Sequence, residues 1–292
     1  MTQHPPEPRK PFYGMTDEEL ATVPTVYHPE LFKGQVVMIS GAAGGLGRGC
    51  AFLFARLGAA LELCGRDGEK LERVAEKLRA FGNPVHCTPL TIRDPQQVAD
   101  FIAGIWARHG RLDVQLNNAG GQFAQLALDF TVKGWQAVID TNLNGTWYMM
   151  QQAALRWRDQ GQVGNIINMV AVVERGNHGM AHTSAARAGV IHLSKTVAVE
   201  WAEHKIRVNC VAPGAVETPA FGQYSDAARP TLYRTNPMLR AGDLMDTAEA
   251  CVYLAAPSGK FITGEVLHID GGQNLWGDPW PAGKPDYFKF KD

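Results

Sequence analysis

The chain has no excess of either charge: 28 Lys and Arg stand against 29 Asp and Glu, a formal net charge of -1. It also has no Lys/Arg run, so the electrostatic footprint expected of a nucleic-acid or anionic-membrane partner is missing. Its five cysteines, Cys50, Cys64, Cys87, Cys210 and Cys251, are scattered, odd in number and without any C-x-x-C spacing. That excludes a disulfide framework and predicts reduced thiols, packed as small hydrophobes in a cytoplasmic protein. No apolar run reaches the length of a membrane span. The opening "MTQHPPEPRKPFYG" lacks the apolar core of a secretion signal, and the closing "FKFKD" is not a peroxisomal address. What is present, 292 residues with 45% hydrophobic and 20% charged side chains, suits a soluble globular chain with a substantial core.

Residues 1–33 read as an irregular N-terminal extension with one short helix, where Thr16 and Glu19 of "MTDEEL" form a capping-box pattern. Strand and helix then alternate. "QVVMIS" (35–40), "ALELCG" (60–65), "VHCTPL", "DVQLNNAG" (113–120), "GNIINMVA" (164–171), "IRVNCVAPG" (206–214) and "VLHIDGG" (266–272) read as strands, some running on into loops. Apolar periodicity predicts helices over 47–58, 69–82, 95–109, 134–161 and 184–204. This alternation predicts an α/β fold, a single doubly wound parallel sheet of Rossmann type with helices on both faces. Ligands of such sheets bind at the carboxyl ends of the strands.

The first such end carries Ser40, Gly41, Gly45, Leu46 and Gly47, in "SGAAGGLG". Glycine allows a tight turn and close backbone approach to a pyrophosphate, and the following helix offers free N–H groups. A strong strand before and a strong helix after favour nucleotide binding over a plain turn. The second strand ends "ELCGRD". An acid there would bind the ribose 2′-OH of NAD, but Gly65 holds that place and Arg66 follows. A guanidinium suits a 2′-phosphate, which points to NADP(H). The bland alternative makes Arg66 a solvated turn residue, with Asp67 blunting its charge.

S-G-x-x-x-G-L-G, then "NNAG" (117–120), "NLNG" (142–145), "IRVNCVAPG" and "DGG" (270–272) occur in an order that resembles the short-chain dehydrogenase/reductases over about residues 34–272. The resemblance implies one domain over that range, with a substrate-covering lid at 219–242 and a tail at 273–292. It also implies that Asn118, Ala119 and Gly120 lie against the cofactor's ribose and pyrophosphate. Pro213, Gly214, Val216 and Thr218 would hold the nicotinamide half. Most members carry a catalytic Ser, a Tyr, a Lys four residues on and an Asn. Here Asn142 stands, the Ser position is Ala171 or Val170, the Tyr position is Thr183 and the Lys position is Arg187. A Thr hydroxyl is far too weak an acid to replace the Tyr, whereas Arg keeps a charge and a fork of donors for a ribose diol. Cofactor positioning is thus retained and alcohol/carbonyl proton transfer lost. Conjugate reduction stays sensible, because donors aimed at a thioester oxygen stabilise the enolate formed as hydride adds to the β-carbon.

"NNAGGQF", "KGWQAVIDTNLNGTWYM", "HTSAARAGV" and "VEWA" resemble the peroxisomal trans-2-enoyl-CoA reductase branch, a sister of the 2,4-dienoyl-CoA reductases. That implies NADPH and an acyl-CoA substrate. The chain departs from that branch at Ile191, where the branch has a tyrosine. In "ERGNHGMAH", Glu174, His178 and His182 have metal-ligand spacing for a helix, but Gly176 and Gly179 argue for a loop, so no metal is expected. His182, beside Thr183, is a candidate near the substrate oxygen or the α-carbon. In the lid, Arg229, Arg234 and Arg240 against Asp226 either meet CoA phosphates or form solvated surface. The aromatic tail "NLWGDPWPAGKPDYFKF" is expected to pack on its own domain or a neighbouring subunit. Helices starting near Gly134 and Ser184 pair between subunits in similar proteins, so a homotetramer or dimer is expected. The leading expectation is an NADP(H)-dependent 2-enoyl-thioester reductase. The alternatives are an oxidoreductase on another unsaturated or carbonyl compound in a degradation pathway, and a non-catalytic partner subunit.

Overall fold

Period-two alternation in the strands builds a sheet with two apolar faces. In β1 (Val36–Ser40), Val37 and Ile39 enter one core while Val36 and Met38 enter the other. The computed structural model describes residues 13–224, 226 and 228–276. It contains a seven-stranded parallel sheet in the order β3-β2-β1-β4-β5-β6-β7. The remaining strands are β2 (Ala60–Gly65), β3 (Val85–Pro89), β4 (Val114–Asn117), β5 (Gly164–Met169), β6 (Ile206–Pro213) and β7 (Val266–Ile269). One face is covered by α2 (Gly45–Arg56), α3 (Gly68–Arg79) and α9 (Leu244–Ala255). The other is covered by α4 (Pro95–His109), α6 (Gly145–Gln160) and α7 (Ala181–Glu200). This is the doubly wound Rossmann-type α/β fold expected from the sequence. The strand order reverses between β1 and β4, and the crevice there is where such sheets bind ligands.

Local chemistry sets the helix ends. Asp94 caps α4 by accepting from the amides of Gln96 and Gln97, Pro95 takes the first position, and Gly110 ends it at φ 67°. Thr131 caps α5 (Val132–Ile139), so this helix starts before the expected Gly134. The run 134–161 is also not one α-helix. Residues Asp140–Asn144 form a π-turn between α5 and α6, an insertion that apolar spacing does not reveal. α7 likewise starts at Ala181 and not at Ser184. The imidazole Nδ1 of His182 accepts from the Thr183 amide at 2.7 Å, so a ring serves a first-turn N–H that a Ser or Asp usually serves.

The N-terminal extension is less irregular than its composition suggests. α1 (Asp17–Thr22) has both halves of the Thr16/Glu19 capping box. Leu20 and Phe32 are fully buried, and the Phe32 and Phe54 rings lie 4.9 Å apart. Arg56 donates to the carbonyls of Leu20 and Val23 at 3.0 and 2.6 Å. α8 (Arg229–Leu232) lies in the lid segment, and α10 (Gln273–Trp276) follows β7. The rest of the aromatic tail lies outside the described residues. All five cysteines are free. Burial raises the thiols of Cys87 and Cys210, each to about 11, so both stay protonated at neutral pH. No described helix is long and apolar enough to cross a membrane.

Candidate active site

The β1 side of the crevice is built from backbone contacts. Ser40 Oγ accepts from the amides of Asn118 and Ala119 at 3.1 and 3.0 Å. Asn118 Nδ2 donates back to the carbonyls of Ser40 and Gly41, both at 3.1 Å. These bonds lock the loop after β4 onto the loop after β1. Any side chain at Gly47 would meet the Gly41 carbonyl oxygen at 2.5 Å and the Asn118 amide, so only glycine fits. Gly44 precedes α2 and no side chain caps this helix, which leaves its N-terminal dipole facing the crevice. Leu46 is half-buried against the core below.

Arg66 lies just beyond β2. It is exposed and has no ion pair or hydrogen bond among the described residues. Asp67 is occupied elsewhere: it accepts from the Lys70 amide as the cap of α3 and pairs with the Lys70 ammonium at 3.0 Å. Those contacts hold its carboxyl below the usual range.

Beyond Gly120 the crevice is built from side chains. The π-turn places Asn142, fully buried, under the backbone of Gly121. Asn142 Oδ1 accepts from the Gly121 amide at 2.9 Å, and Nδ2 donates to the Gly121 carbonyl at 3.0 Å and to Thr183 Oγ1 at 3.2 Å. The Thr183 hydroxyl proton has no acceptor among the described residues. A methyl on Gly120 would collide with Arg187 Nη2 and lie 3.2 Å from Asn142 Oδ1. Asn142, Thr183 and Arg187 therefore share one corner.

Arg187 is 9% exposed. Its Nη1 donates to the Met169 carbonyl at 2.8 Å, and no carboxylate pairs with it among the described residues. Burial pulls its pKa down to about 10, so it is still a cation at neutral pH. Below it, Asn117, Asn168 and Ser194 form a buried chain of hydrogen bonds, with Asn117 donating to Asn168 at 2.8 Å and Asn168 to Ser194 at 2.9 Å. This support was invisible in the sequence, where only the alternation of polar residues in β4 and β5 hints at it. Val170 and Ile191 pack in one small apolar cluster with Val190, Cys210 and Ala212.

His182 sits apart from this corner's donors. Its ring is fully buried between Phe123 and Phe130, at centroid distances of 4.6 and 4.5 Å. Burial lowers its pKa against an opposing contact with the Met180 backbone, and its Nε2 has no hydrogen-bond partner among the described residues. Its contact with Thr183 is through the backbone, so it positions the first turn of α7. Glu174 and His178 are not assembled with it: Glu174 Oε1 bonds His268 Nε2 at 2.8 Å, and His178 is exposed in a loop.

Pro213 ends β6, and Val216 bridges to Gly242 across the base of the lid. Gly214 approaches Asp270 and Gln273 closely, and Thr218 opens a short 3₁₀ turn at Pro219–Gln223. Between them Glu217 accepts from the Gly14 amide at 3.1 Å and from the Tyr233 hydroxyl at 2.9 Å, a tie to the N-terminal extension that sequence reading missed. Two of the three arginines of the segment 219–242 are already paired. Arg229 pairs with Asp226 and lies over the Tyr13 ring, and Arg240 pairs with Asp246 at 2.7 Å. Arg234 is exposed without an ion pair among the described residues.

Residues 41–274 match the family described as enoyl-(acyl carrier protein) reductase. A probable 2,4-dienoyl-CoA reductase, (2E)-enoyl-CoA-producing, of Bacillus subtilis is 35% identical over 252 residues, 85% of this chain and 98% of its own. The 3-oxoacyl-[acyl-carrier-protein] reductase FabG of Thermotoga maritima is 34% identical over 241 residues, 82% of this chain and 98% of its own. The crystal structure of a short chain dehydrogenase from Bacillus anthracis superposes with a TM-score of 0.78 at 36% identity, covering 84% of this chain and 98% of that one.

Proposed function

The chain belongs to the short-chain dehydrogenase/reductase family of oxidoreductases, and from that premise we propose that it is an NADP(H)-dependent reductase of a conjugated C=C bond, acting on a 2-enoyl-CoA thioester. The observation that carries the reading is Arg187, among the described residues a buried cation without a carboxylate partner, in the same corner as a hydroxyl whose proton has no acceptor. A buried charge is costly unless something compensates it. An anionic cofactor and an oxyanion that forms during turnover would both do so.

The residues present fit a dinucleotide. The glycine cradle at Gly41 and Gly47, the uncapped start of α2 and the loop Asn118–Gly120 would hold the pyrophosphate and ribose. Arg66 would meet a 2′-phosphate, and Pro213, Gly214, Val216 and Thr218 would border the nicotinamide half. The cofactor, when bound, supplies the hydride. The chain's own work is to receive charge on the thioester oxygen. Asn142 holds Thr183 Oγ1 as an acceptor, which directs the Thr183 hydroxyl proton outward as a donor. Arg187 adds positive potential in the same corner. The Thr183 hydroxyl is far too weak an acid to supply the proton for a secondary alcohol at neutral pH, and the α-carbon takes its proton from water or a nearby acid. The B. subtilis relative is named as a probable 2,4-dienoyl-CoA reductase that produces (2E)-enoyl-CoA, a reaction that also reduces a conjugated acyl-CoA thioester. The exposed apolar residues Val132 and Trp135 of α5 and Val199 of α7 would be covered in a homo-oligomer.

The test is titration with NADPH and NADH, followed by single-turnover NADPH oxidation with crotonyl-CoA and longer enoyl-CoAs. NADPH oxidation that depends on the enoyl-CoA is expected, with negligible oxidation of secondary alcohols or 3-hydroxyacyl-CoA. Robust 3-hydroxyacyl-CoA turnover would replace the reading with a carbonyl reductase. Cofactor binding without any turnover would replace it with a partner subunit.

A further inference from the structure

A second cluster of ligand-bearing side chains lies away from the crevice, where α4 ends against the edge of the sheet. Glu62 of β2 and His86 of β3 are register partners on adjacent parallel strands, so both side chains leave the same face. His109 is the last residue of α4, which packs on that face. One ligand atom from each of the three lies within 4.8 Å of the others. His109 Nε2 is 2.7 Å from Glu62 Oε1, and the two imidazole centroids are 5.7 Å apart. Two imidazoles on one tetrahedral zinc, with Zn–N of about 2.0–2.1 Å, have centroids about 5 Å apart. The observed spacing is close to that, and His86 is exposed and free to rotate inward.

Glu62 is fully buried in the middle of a strand, an expensive place for a carboxylate. Arg108 holds it, with Nε and Nη2 donating to its two oxygens at 2.8 and 2.6 Å. A carboxylate has about four lone-pair positions. Arg108 uses one on each oxygen, which leaves Oε1 with the position that His109 now occupies.

We propose that Glu62, His86 and His109 form a binding site for a divalent transition-metal ion of the zinc class. The ion takes the place of the proton between His109 Nε2 and Glu62 Oε1, His86 closes the third position, and water fills the fourth on the exposed side. Two imidazoles and one carboxylate suit zinc, cobalt(II), nickel or copper(II), whereas magnesium and calcium want an all-oxygen set. Arg108 acts as the outer partner that fixes the carboxylate's orientation. Its positive charge also opposes the ion, so the affinity is modest compared with sites of three thiolates or histidines. The site ties the end of α4 to β2 and the edge strand β3. It shares no residue with the crevice.

The test uses the full chain stripped with chelator. Zinc is titrated by calorimetry and cobalt(II) by visible absorption, with His86→Ala and His109→Ala beside the parent. One saturable equivalent is expected, with a cobalt spectrum free of thiolate charge-transfer bands. Each variant should bind at least about tenfold more weakly, since losing a ligand costs no less than losing an outer partner. Zinc should raise the unfolding temperature of the parent and not of His86→Ala. His86 is exposed and on an edge strand, so its variant keeps the test open if His109→Ala fails to fold. Absence of a saturable equivalent, undiminished binding in His86→Ala, or a thiolate spectrum overturns the proposal.

Discussion

On the β1 side of the crevice each motif residue is held by backbone: Ser40, Gly41, Gly47 and Asn118 bond or abut main-chain atoms of the neighbouring loop. On the π-turn and α7 side the corner is made of side chains: Asn142, Thr183 and Arg187 meet each other's atoms or approach Gly120. On the first side the motif side chains are satisfied, and what stays open is the uncapped backbone at the start of α2. The second carries, among the described residues, a cation without a counter-ion and a hydroxyl proton without an acceptor. Side chains whose hydrogen bonds are complete form a scaffold, while side chains left incomplete at a cost are arranged for something that arrives later.

Breaking the second side should have the largest effect. Arg187→Met should slow single-turnover NADPH oxidation by about 10²–10³, the usual loss for one group stabilising an oxyanion. Its unfolding temperature should hold or rise, because the variant removes an uncompensated buried charge. Arg187→Lys should recover only part of the rate, since a point charge lacks the forked geometry. A normal rate in Arg187→Met would dissolve the contrast between the two sides.

Thr183→Val keeps the shape and deletes the hydroxyl. If the proton left free by Asn142 is used, the rate should fall by about 10² while NADPH affinity is unchanged. An equal fall in NADPH affinity would move Thr183 to the scaffold.

The first side should break differently. Gly47→Ala pushes a methyl into the Gly41 carbonyl. It should cost about 1–3 kcal/mol of stability and about tenfold or more in NADPH affinity, yet leave the hydride-transfer rate of the saturated protein near normal. A collapsed rate at saturation would show that the two sides are not separable.

Arg66→Ala should cost about tenfold in NADPH binding and nothing in NADH binding, the value of one charge-assisted phosphate contact. Equal losses for both dinucleotides would remove the 2′-phosphate from the reading.

The smallest effect concerns His182. Burial holds its pKa below the ordinary 6.5, so the unfolded chain takes up the proton first as pH falls. Its contribution to stability is complete above about pH 6.5 and is lost progressively as pH falls from there toward the lowered folded value. His182→Phe keeps the ring stack with Phe123 and Phe130 and removes that proton. The variant's unfolding temperature should therefore drop less between about pH 7.5 and 5 than the parent's, and parallel curves would show that His182 does not titrate in this window.

The strand ends and the glycine loop were legible because both follow from short-range rules. Apolar alternation marks β1, and a Gly at the start of a helix marks the close approach at Gly47. The π-turn was not legible, since one inserted residue leaves the apolar periodicity of "KGWQAVIDTNLNGTWYM" nearly unchanged while it turns Asn142 under Gly121. The start of α7 was misplaced because a histidine ring, not a Ser or Asp, serves the Thr183 amide.

By itself the sequence determined the α/β class and the placement of the glycine cradle at the end of β1, because each depends on residues within a few positions of one another, and the family resemblance, because it depends on the order of short motifs along the chain. Only the tertiary structure decided what Arg187 and Thr183 face. Whether a cation has a counter-ion, and whether a hydroxyl proton has an acceptor, depends on side chains from β5, the π-turn and α7 that are more than a dozen residues apart in the chain. The same holds for Glu62, His86 and His109, which no sequence spacing joins and which meet because β2, β3 and the end of α4 pack together.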